Sequence, residues 1–294
     1  MTDRSGFVAV VGRPNVGKST LINRLVGQKV SIATPRPQTT RHRLLGIVNH
    51  NGAEIILIDT PGIHRKASRA LNRILNRTAF AAMDEADVVL WVCEAIRETD
   101  DDARVIEALK RLSTPIVVAI NKVDLQKDKA RLLPRLQGLG ELLEDAALVP
   151  ISARRDDRFD ALLDELSRYL PESPPMFPED AVTDRSLNFL AAELIREKLT
   201  LRLNDELPYG LAVVIDRWDE ATDGVSIDAS IVVEKGSHKP IVIGAGGAMI
   251  KEVGTAARRS IAQLVEAPVH LQLWVRVRDN WADSESELQR LGFD

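Results

Sequence analysis

The feature that most limits how this chain can fold is an eight-residue loop, Gly12-Arg13-Pro14-Asn15-Val16-Gly17-Lys18-Ser19, set between an apolar run and an amphipathic one. It fits G-x-x-x-x-G-K-[ST], in which backbone N–H groups cradle phosphate oxygens at the start of a helix. Such a loop needs a strand before it and a helix after it, and Phe7–Val11 and Lys18–Leu25 have those patterns. Four more short segments follow in order: Thr39-Thr40, Asp59-Thr60-Pro61-Gly62, Asn121-Lys122-Val123-Asp124 and Ser152-Ala153. A lone Gly-rich turn is usually only a turn, and a lone Asn-Lys-x-Asp is usually a surface turn. Five elements in this order and at these spacings point to a site for GTP and GDP.

Each element answers a chemical need. Gly12 and Gly17 let the backbone approach phosphate. The N–H groups of Asn15, Val16, Gly17, Lys18, Ser19 and Thr20 are expected to face anionic oxygens, with Arg13 and Pro14 completing the loop. Lys18 should reach the β- and γ-phosphates, and the Ser19 hydroxyl should bind Mg2+. Asp59 ends a buried strand, where a carboxylate is costly unless partnered; it is assigned to the metal through water. Thr60, Pro61, Gly62 and Ile63 follow, and Gly62 offers its N–H to the γ-phosphate. Thr40, in the polar loop 28–43, is the expected switch threonine on magnesium, with Thr39 the alternative. Asn121 and Asp124 select the base, because a carboxylate accepts from both N1–H and the exocyclic amine of guanine. Lys122 and Val123 lie between them, and the Lys122 stem can cover the purine. Ser152 leads to Ala153, whose N–H can donate to O6. Ile63 stands where Ras-like enzymes carry a water-orienting glutamine, so intrinsic hydrolysis is expected to be slow.

At 294 residues the chain suggests two domains of ~100–200 residues each. Residues 1–170 alternate strand and helix patterns, which implies an α/β domain with a mainly parallel sheet and helices on both faces. Leu44–Asn49 and Ile55–Ile58 read as strands joined by a turn at Asn51-Gly52, a strong hairpin signal. Val88–Cys93, Ile116–Ile120 and Leu148–Ile151 read as buried strands. Helices fit Ser68–Met83, Asp100–Leu112, Lys129–Leu143 and Asp157–Leu170. Residues 171–180 hold four prolines in Pro171-Glu172-Ser173-Pro174-Pro175-Met176-Phe177-Pro178, which can continue neither a helix nor a central strand. They are expected to be a semi-rigid linker.

Residues 181–294 have another texture, that of an α+β module. Asp184–Leu203 reads as a helix capped by Asp184, with Leu187, Leu190, Leu194 and Leu201 near one face. Leu211–Ile215 and the alternating Val225–Val233 read as strands. Ile241–Ile243 reads as a short strand leading into Gly244-Ala245-Gly246-Gly247, and a helix follows with Ile250, Val253, Ala257, Ile261 and Leu264 on one face. A final alternating strand places Gln272, Trp274, Arg276 and Arg278 opposite Leu271, Leu273, Val275 and Val277. In RNA-binding KH modules a GXXG loop clamps the backbone of about four nucleotides. Lys251, Arg258 and Arg259 add cations to one helical face, and Trp274 offers a stacking surface for a base. Read alone, the same residues make a helix-start turn and a solvated face. This region carries 13 basic side chains against 18 acidic ones, so long-range attraction to RNA should be poor.

The net charge of −4 argues against a global basic field. Cys93 is the only cysteine, which excludes an intrachain disulfide, and its apolar setting marks a buried thiol suited to a reducing cytosol. No apolar stretch approaches the ~20 residues of a membrane span, and residues 1–6 show no signal-peptide core. A cytoplasmic location is expected. The five histidines are scattered, with no metal-ligand or nucleophile cluster.

The run Gly12–Leu21 and the segment Pro37-Gln38-Thr39-Thr40-Arg41-His42 resemble the Era-type and double-G-domain ribosome-assembly GTPases of bacteria. One G domain followed by a GXXG module is the order of the Era family, and the closing Trp274-Val275-Arg276-Val277 and Asn280-Trp281-Ala282-Asp283 are similar to it. The resemblance implies a KH domain that binds the 3′ end of 16S ribosomal RNA within the assembling 30S subunit. It also implies potassium beside the phosphates, held by Asn15, though an asparagine capping its own loop explains that residue equally well. Peripheral association with the inner membrane is reported for the family, but no anchor is visible in this chain. A monomer is expected. Family members commonly carry a lysine within the GXXG loop, where this chain has Ala245. Two rival readings are a signalling GTPase whose C-terminal domain binds a protein, and a GTPase of RNA modification. The latter would need a further catalytic constellation, which the sequence lacks.

Overall fold

The computed structural model describes residues 3–36, 39–62, 70–155, 158–203 and 207–292. It divides into two compact units. The first holds residues 1–67 and 72–184, and the second holds 185–294 with 68–71. Ile63, Pro37, Gln38 and the expected helix start at Ser68 lie outside the described residues.

The first unit is built on a six-stranded sheet in the order β2-β3-β1-β4-β5-β6. Its strands are β1 (Arg4–Val11), β2 (Leu44–His50), β3 (Ala53–Asp59), β4 (Val88–Glu94), β5 (Ile116–Asn121) and β6 (Ala147–Pro150). All neighbours pair in parallel except β2 and β3. β2 and β3 form the expected hairpin, and Asn51 and Gly52 both take positive φ, 48° and 82°. This matches a turn whose twist suits the flanking strands. Near-continuous apolar strands bury both sheet faces. One core gathers Ala9, Val11, Ile56, Trp91 and Cys93, and the other Val8, Val10, Leu21, Ile55 and Leu90. The helices are α1 (Lys18–Val26), α2 (Ala70–Glu85), α3 (Asp100–Leu109), α4 (Leu132–Leu142) and α5 (Phe159–Tyr169).

The proline-rich segment is held against this unit. The N–H of Ser5 donates to Pro171 O at 3.3 Å. Glu54, buried on β3, accepts from Ser5 Oγ at 2.6 Å, Met176 N at 2.7 Å and Phe177 N at 3.0 Å. Further on, Ile47 N of β2 donates to Val182 O at 3.0 Å, and Leu45 N donates to Asp184 Oδ1 at 2.8 Å. Asp184 is therefore not the helix cap that the sequence suggests. Its carboxylate closes an edge of β2.

The second unit runs α6 (Leu187–Arg202), β7 (Leu211–Ala221), β8 (Gly224–Val233), α7 (His238–Ile243), α8 (Ala248–Val265) and β9 (Val269–Val277). Ser186 caps α6, accepting from Phe189 N at 3.3 Å. Leu190 and Leu194 enter the core, joined by Ile195 and Leu199, but Leu187 and Leu201 are exposed. The expected four-leucine face is thus only half right. β8 pairs antiparallel with β7 and parallel with β9. Val253, Ala257 and Ile261 of α8 pack on this sheet as their spacing suggests. Ile241–Ile243 is the end of a helix, not a strand, because the N–H of Gly244 returns to Pro240 O at 2.8 Å. Among the described residues no helix is long and apolar enough to cross a membrane.

Candidate nucleotide and nucleic-acid sites

β1 delivers the phosphate loop to the carboxyl end of the sheet, and α1 begins directly behind it. Gly12 has φ 150°, and a Cβ there would lie 2.3 Å from Val92 O, so no other residue fits. Asn15 and Gly17 also take positive φ. Lys18 is buried and donates to Gly12 O at 2.8 Å and to Arg13 O at 3.2 Å. Burial lowers its pKa to about 8, a shift that Asp59 opposes. Phosphate oxygens would be natural alternative partners for this ammonium. Val16 lies in the core, while Thr20 at the start of α1 stays partly exposed.

Asp59 ends β3 fully buried. Its Oδ2 accepts from Ser31 Oγ at 2.6 Å, Ser19 Oγ at 3.2 Å and Thr40 Oγ1 at 3.4 Å, and the Ser19 and Thr40 hydroxyls are 3.0 Å apart. Burial pushes its carboxyl pKa up, opposed by Ser31 and Lys18. Asp59 Oδ1 is buried with no hydrogen-bond partner among the described residues. One carboxylate with an unused oxygen and two hydroxyls beside it form an all-oxygen donor set, which fits a hard divalent cation such as Mg2+. Thr39 is engaged in its own turn, donating to Arg36 O at 2.7 Å, with its hydroxyl 2.7 Å from that of Thr34. Pro14, Lys18, Ser19, Arg36, Thr40 and Gly62 line one small cleft over the loop. Thr60 Oγ1 donates to Val10 O at 2.7 Å, fixing the β3 end to β1, and Pro61 is buried behind it.

The base loop leaves the end of β5 with Lys122 at φ 65°. Asn121 works as a tie. Its Nδ2 donates to Val16 O at 2.8 Å, and its Oδ1 accepts from Lys122 N at 2.7 Å and Ala153 N at 3.0 Å. The Ala153 N–H expected at O6 is thus donated to Asn121 here. Ser152 Oγ donates to Asp124 Oδ1 at 2.7 Å, and among the described residues no hydrogen bond engages the second carboxylate oxygen. Val123 is buried beneath the loop. Lys122 Nζ donates to Asn15 O at 2.8 Å and pairs with Glu94.

Arg13 completes the loop through its backbone. Its side chain turns into an acidic pair, with Nε 2.9 Å from Asp102 Oδ2 and Nη2 2.9 Å from Glu94 Oε2. Only its backbone belongs to the phosphate loop. Sequence reasoning also missed Ser31, Glu94 and Asp102. Ser31 is positioned by Asn23, whose Oδ1 accepts from Val30 N at 2.9 Å and Ser31 N at 2.8 Å. Ser31 and Glu94 act across 28 or more positions, which no short-range pattern marks; Asp102 shows locally only as the acid of the Thr99–Asp102 capping box of α3, while its pairing with Arg13 spans 89 positions.

In the second unit, Gly244, Gly246 and Gly247 all take positive φ, and Ala245–Gly247 forms a single 3-10 turn ahead of α8. A Cβ on Gly244 would lie 2.7 Å from Met249 Cβ, while Gly246 and Gly247 face open space. Lys251, Arg258 and Arg259 are exposed on α8, and Trp274 is 55 % exposed on β9. Ile243, Ile250, Leu273 and Trp274 line a hollow with Lys239 and Arg276. Arg276 is within 3.4 Å of Asp216 and Arg278 within 3.1 Å of Glu287, so both arginines already face carboxylates.

Comparison with known proteins agrees with this geometry. Residues 7–122 match the family described as 50S ribosome-binding GTPase, and residues 206–282 match the KH domain. The chain is 45% identical to GTPase Era of Pseudomonas entomophila (strain L48), over 99% of this chain and 97% of the relative. It is 47% identical to GTPase Era of Stenotrophomonas maltophilia (strain K279a), over 98% and 97%. Among solved structures it superposes on Era in complex with MgGDPNP and nucleotides 1506–1542 of 16S ribosomal RNA, with TM-score 0.95 and 37% identity over 99% of both chains. A second match is a substituted variant of Aquifex aeolicus Era bound to GDP.AlF4−, with TM-score 0.94, 38% identity and the same coverage. A P-loop GTPase domain followed by a KH domain, alike in sequence and fold from end to end, places this chain in the Era family of GTPases.

Proposed function

We propose that the protein is a cytoplasmic GTPase that binds the 3′ end of 16S ribosomal RNA through its KH domain and acts in maturation of the 30S subunit. The observation that carries this reading is the end-to-end likeness to the Era complex with MgGDPNP and 16S nucleotides. Local geometry supports it: Ser19, Thr40 and Asp59 converge beside the phosphate loop, and the GXXG turn opens toward solvent. Ser19 and Thr40 would hold magnesium directly and Asp59 through water, and the bound metal neutralises charge on the phosphates. Lys18 would exchange the Gly12 and Arg13 carbonyls for β- and γ-phosphate oxygens. Asp124 would accept from the guanine N1–H and amine.

Intrinsic hydrolysis is slow in this reading, because Ile63 cannot orient water by a hydrogen bond. Asn15 supports a monovalent cation beside the phosphates: its backbone is held in the left-handed region, and its side-chain amide has no partner among the described residues. The γ-phosphate would order the segment around Thr40, and hydrolysis would release it. Ribosome-profile sedimentation followed by crosslinking to mapped ribosomal RNA tests the reading. Crosslinks at the 16S 3′ end in 30S fractions support it; crosslinks confined to protein contradict it.

A further inference from the structure

Glu94 closes β4, where its Cα pairs with that of Asn121 on β5. Its two carboxylate oxygens are used separately. Oε2 takes Arg13 Nη2 of the phosphate loop at 2.9 Å, and Oε1 takes Lys122 Nζ of the base loop. The side chain is largely buried, 14 % exposed. We propose that Glu94 is a positioning residue for the bound nucleotide, holding the phosphate loop and the base loop at one fixed separation and so setting how long a guanine nucleotide stays bound.

The inference rests on the guanine-nucleotide reading above and goes beyond it, because Glu94 belongs to none of the five motifs. Lys122 has two anchors, Glu94 and the Asn15 carbonyl. Together they stretch its methylene stem between the two loops, where that stem can lie over a purine. Arg13 likewise has two anchors. Asp102, fully buried, accepts from Arg13 Nε and also from Thr99 N at 2.9 Å and Thr99 Oγ1 at 3.1 Å, closing the capping box of α3. The phosphate loop is thus pinned on one side to α3 and on the other, through Glu94, to the base loop. Burial works against the Glu94 carboxylate, but Lys122 and Arg13 outweigh it and hold its pKa below the ordinary value. The bridge is charged on both sides. Without Glu94, Lys122 keeps one neutral acceptor and is free to swing away from the purine.

The test follows release of N-methylanthraniloyl-GDP from the full chain into excess GDP. Glu94→Gln keeps the shape and removes the charge. Loss of a charged hydrogen bond corresponds to release about tenfold faster. In a Lys122→Ala background the same substitution should change release by less than about twofold, since coupled residues are non-additive. The preference for guanosine over inosine diphosphate should stay at its wild-type value, because Asp124 is untouched. Wild-type release by Glu94→Gln overturns the proposal, as does an undiminished effect in the Lys122→Ala background. Should Glu94→Gln fail to fold, Glu94→Asp carries the test: the charge remains but its reach shortens by one methylene, and release should still be faster than wild type. Failure of the wild-type chain to retain the fluorescent nucleotide would instead defeat the guanine-nucleotide reading itself.

Discussion

Ser152 donates its hydroxyl to Asp124 Oδ1 at 2.7 Å, so the last of the five ordered motifs holds the carboxylate of the fourth. This bond occupies one oxygen and orients the other for a base. Asp124→Asn should therefore lower GTP affinity and raise affinity for xanthosine triphosphate. The new amide donates where guanine donates, but it suits the xanthine carbonyl. Each lost or clashing bond to a charged group is expected to cost about 1.5–3 kcal/mol. Nucleotide titration of the variant measures this, and an unchanged GTP preference would remove Asp124 from the base pocket.

The order of motifs made the first fold and most of its candidate site legible, because four of the five motifs follow a strand end where apolar periodicity is strong, while Thr39-Thr40 lies in a loop. Thr40 and Thr39 are indistinguishable by pattern; in the structure the Thr40 hydroxyl lies beside Ser19 and Asp59, whereas Thr39 is engaged in a turn with Arg36 and Thr34. Ser31 and Glu94 were illegible for a related reason: their partners are far away in sequence, and Asp102 shows locally only as part of a helix cap. The helix start at Leu187 shows the limit of local rules. Asp184 and Ser186 both have cap chemistry, and a hydrogen bond from Leu45, on a strand 139 positions away, decides between them. At Ile241–Ile243 an apolar triplet before glycine suits either a strand or a last helical turn, and the two prove alike in sequence.

Glu54 provides a stability test of the docked proline-rich segment. Its carboxylate satisfies the Ser5 hydroxyl and the N–H groups of Met176 and Phe177. Glu54→Ala leaves the buried Ser5 hydroxyl and the part-buried N–H groups of Met176 and Phe177 without their partner. The expected loss is about 3 kcal/mol, read by chemical denaturation of the full chain. A change within experimental error would mean that water replaces the carboxylate at no cost.

Cys93 supplies a pH test. Burial, the first cause, pushes its thiol from 9.0 up to about 12. A raised thiol pKa withholds the thiolate until the pH approaches that value. At pH 8 native alkylation should be roughly a thousandfold slower than for a free cysteine. Its rate should keep rising above about pH 10, where a free thiol levels off. Iodoacetamide labelling followed by mass spectrometry checks this, with the unfolded chain as the reference.

The cation proposed at Asn15 calls for GTP turnover in potassium and in sodium at fixed ionic strength. Wild type should turn over faster in potassium, and Asn15→Ala should lose the difference. Equal wild-type rates in both salts would reject the cation role, and a fast basal rate would reject the account of an incomplete water-orienting site.

The central claim is that one chain joins guanine-nucleotide binding to recognition of ribosomal RNA, and fluorescence anisotropy tests it most directly. The probe is a labelled RNA of 16S nucleotides 1506–1542, titrated with the full chain in Mg-GDPNP and in Mg-GDP. Binding should be tighter in Mg-GDPNP. Gly246→Asp should bind about tenfold more weakly, because it sets a negative charge where phosphate must pass. Its backbone, at φ 56° and ψ 21° with open space around the Cβ, accepts aspartate, so GTP turnover without RNA should match wild type. Equal binding by Gly246→Asp and wild type, or no binding in either nucleotide state, would contradict the account.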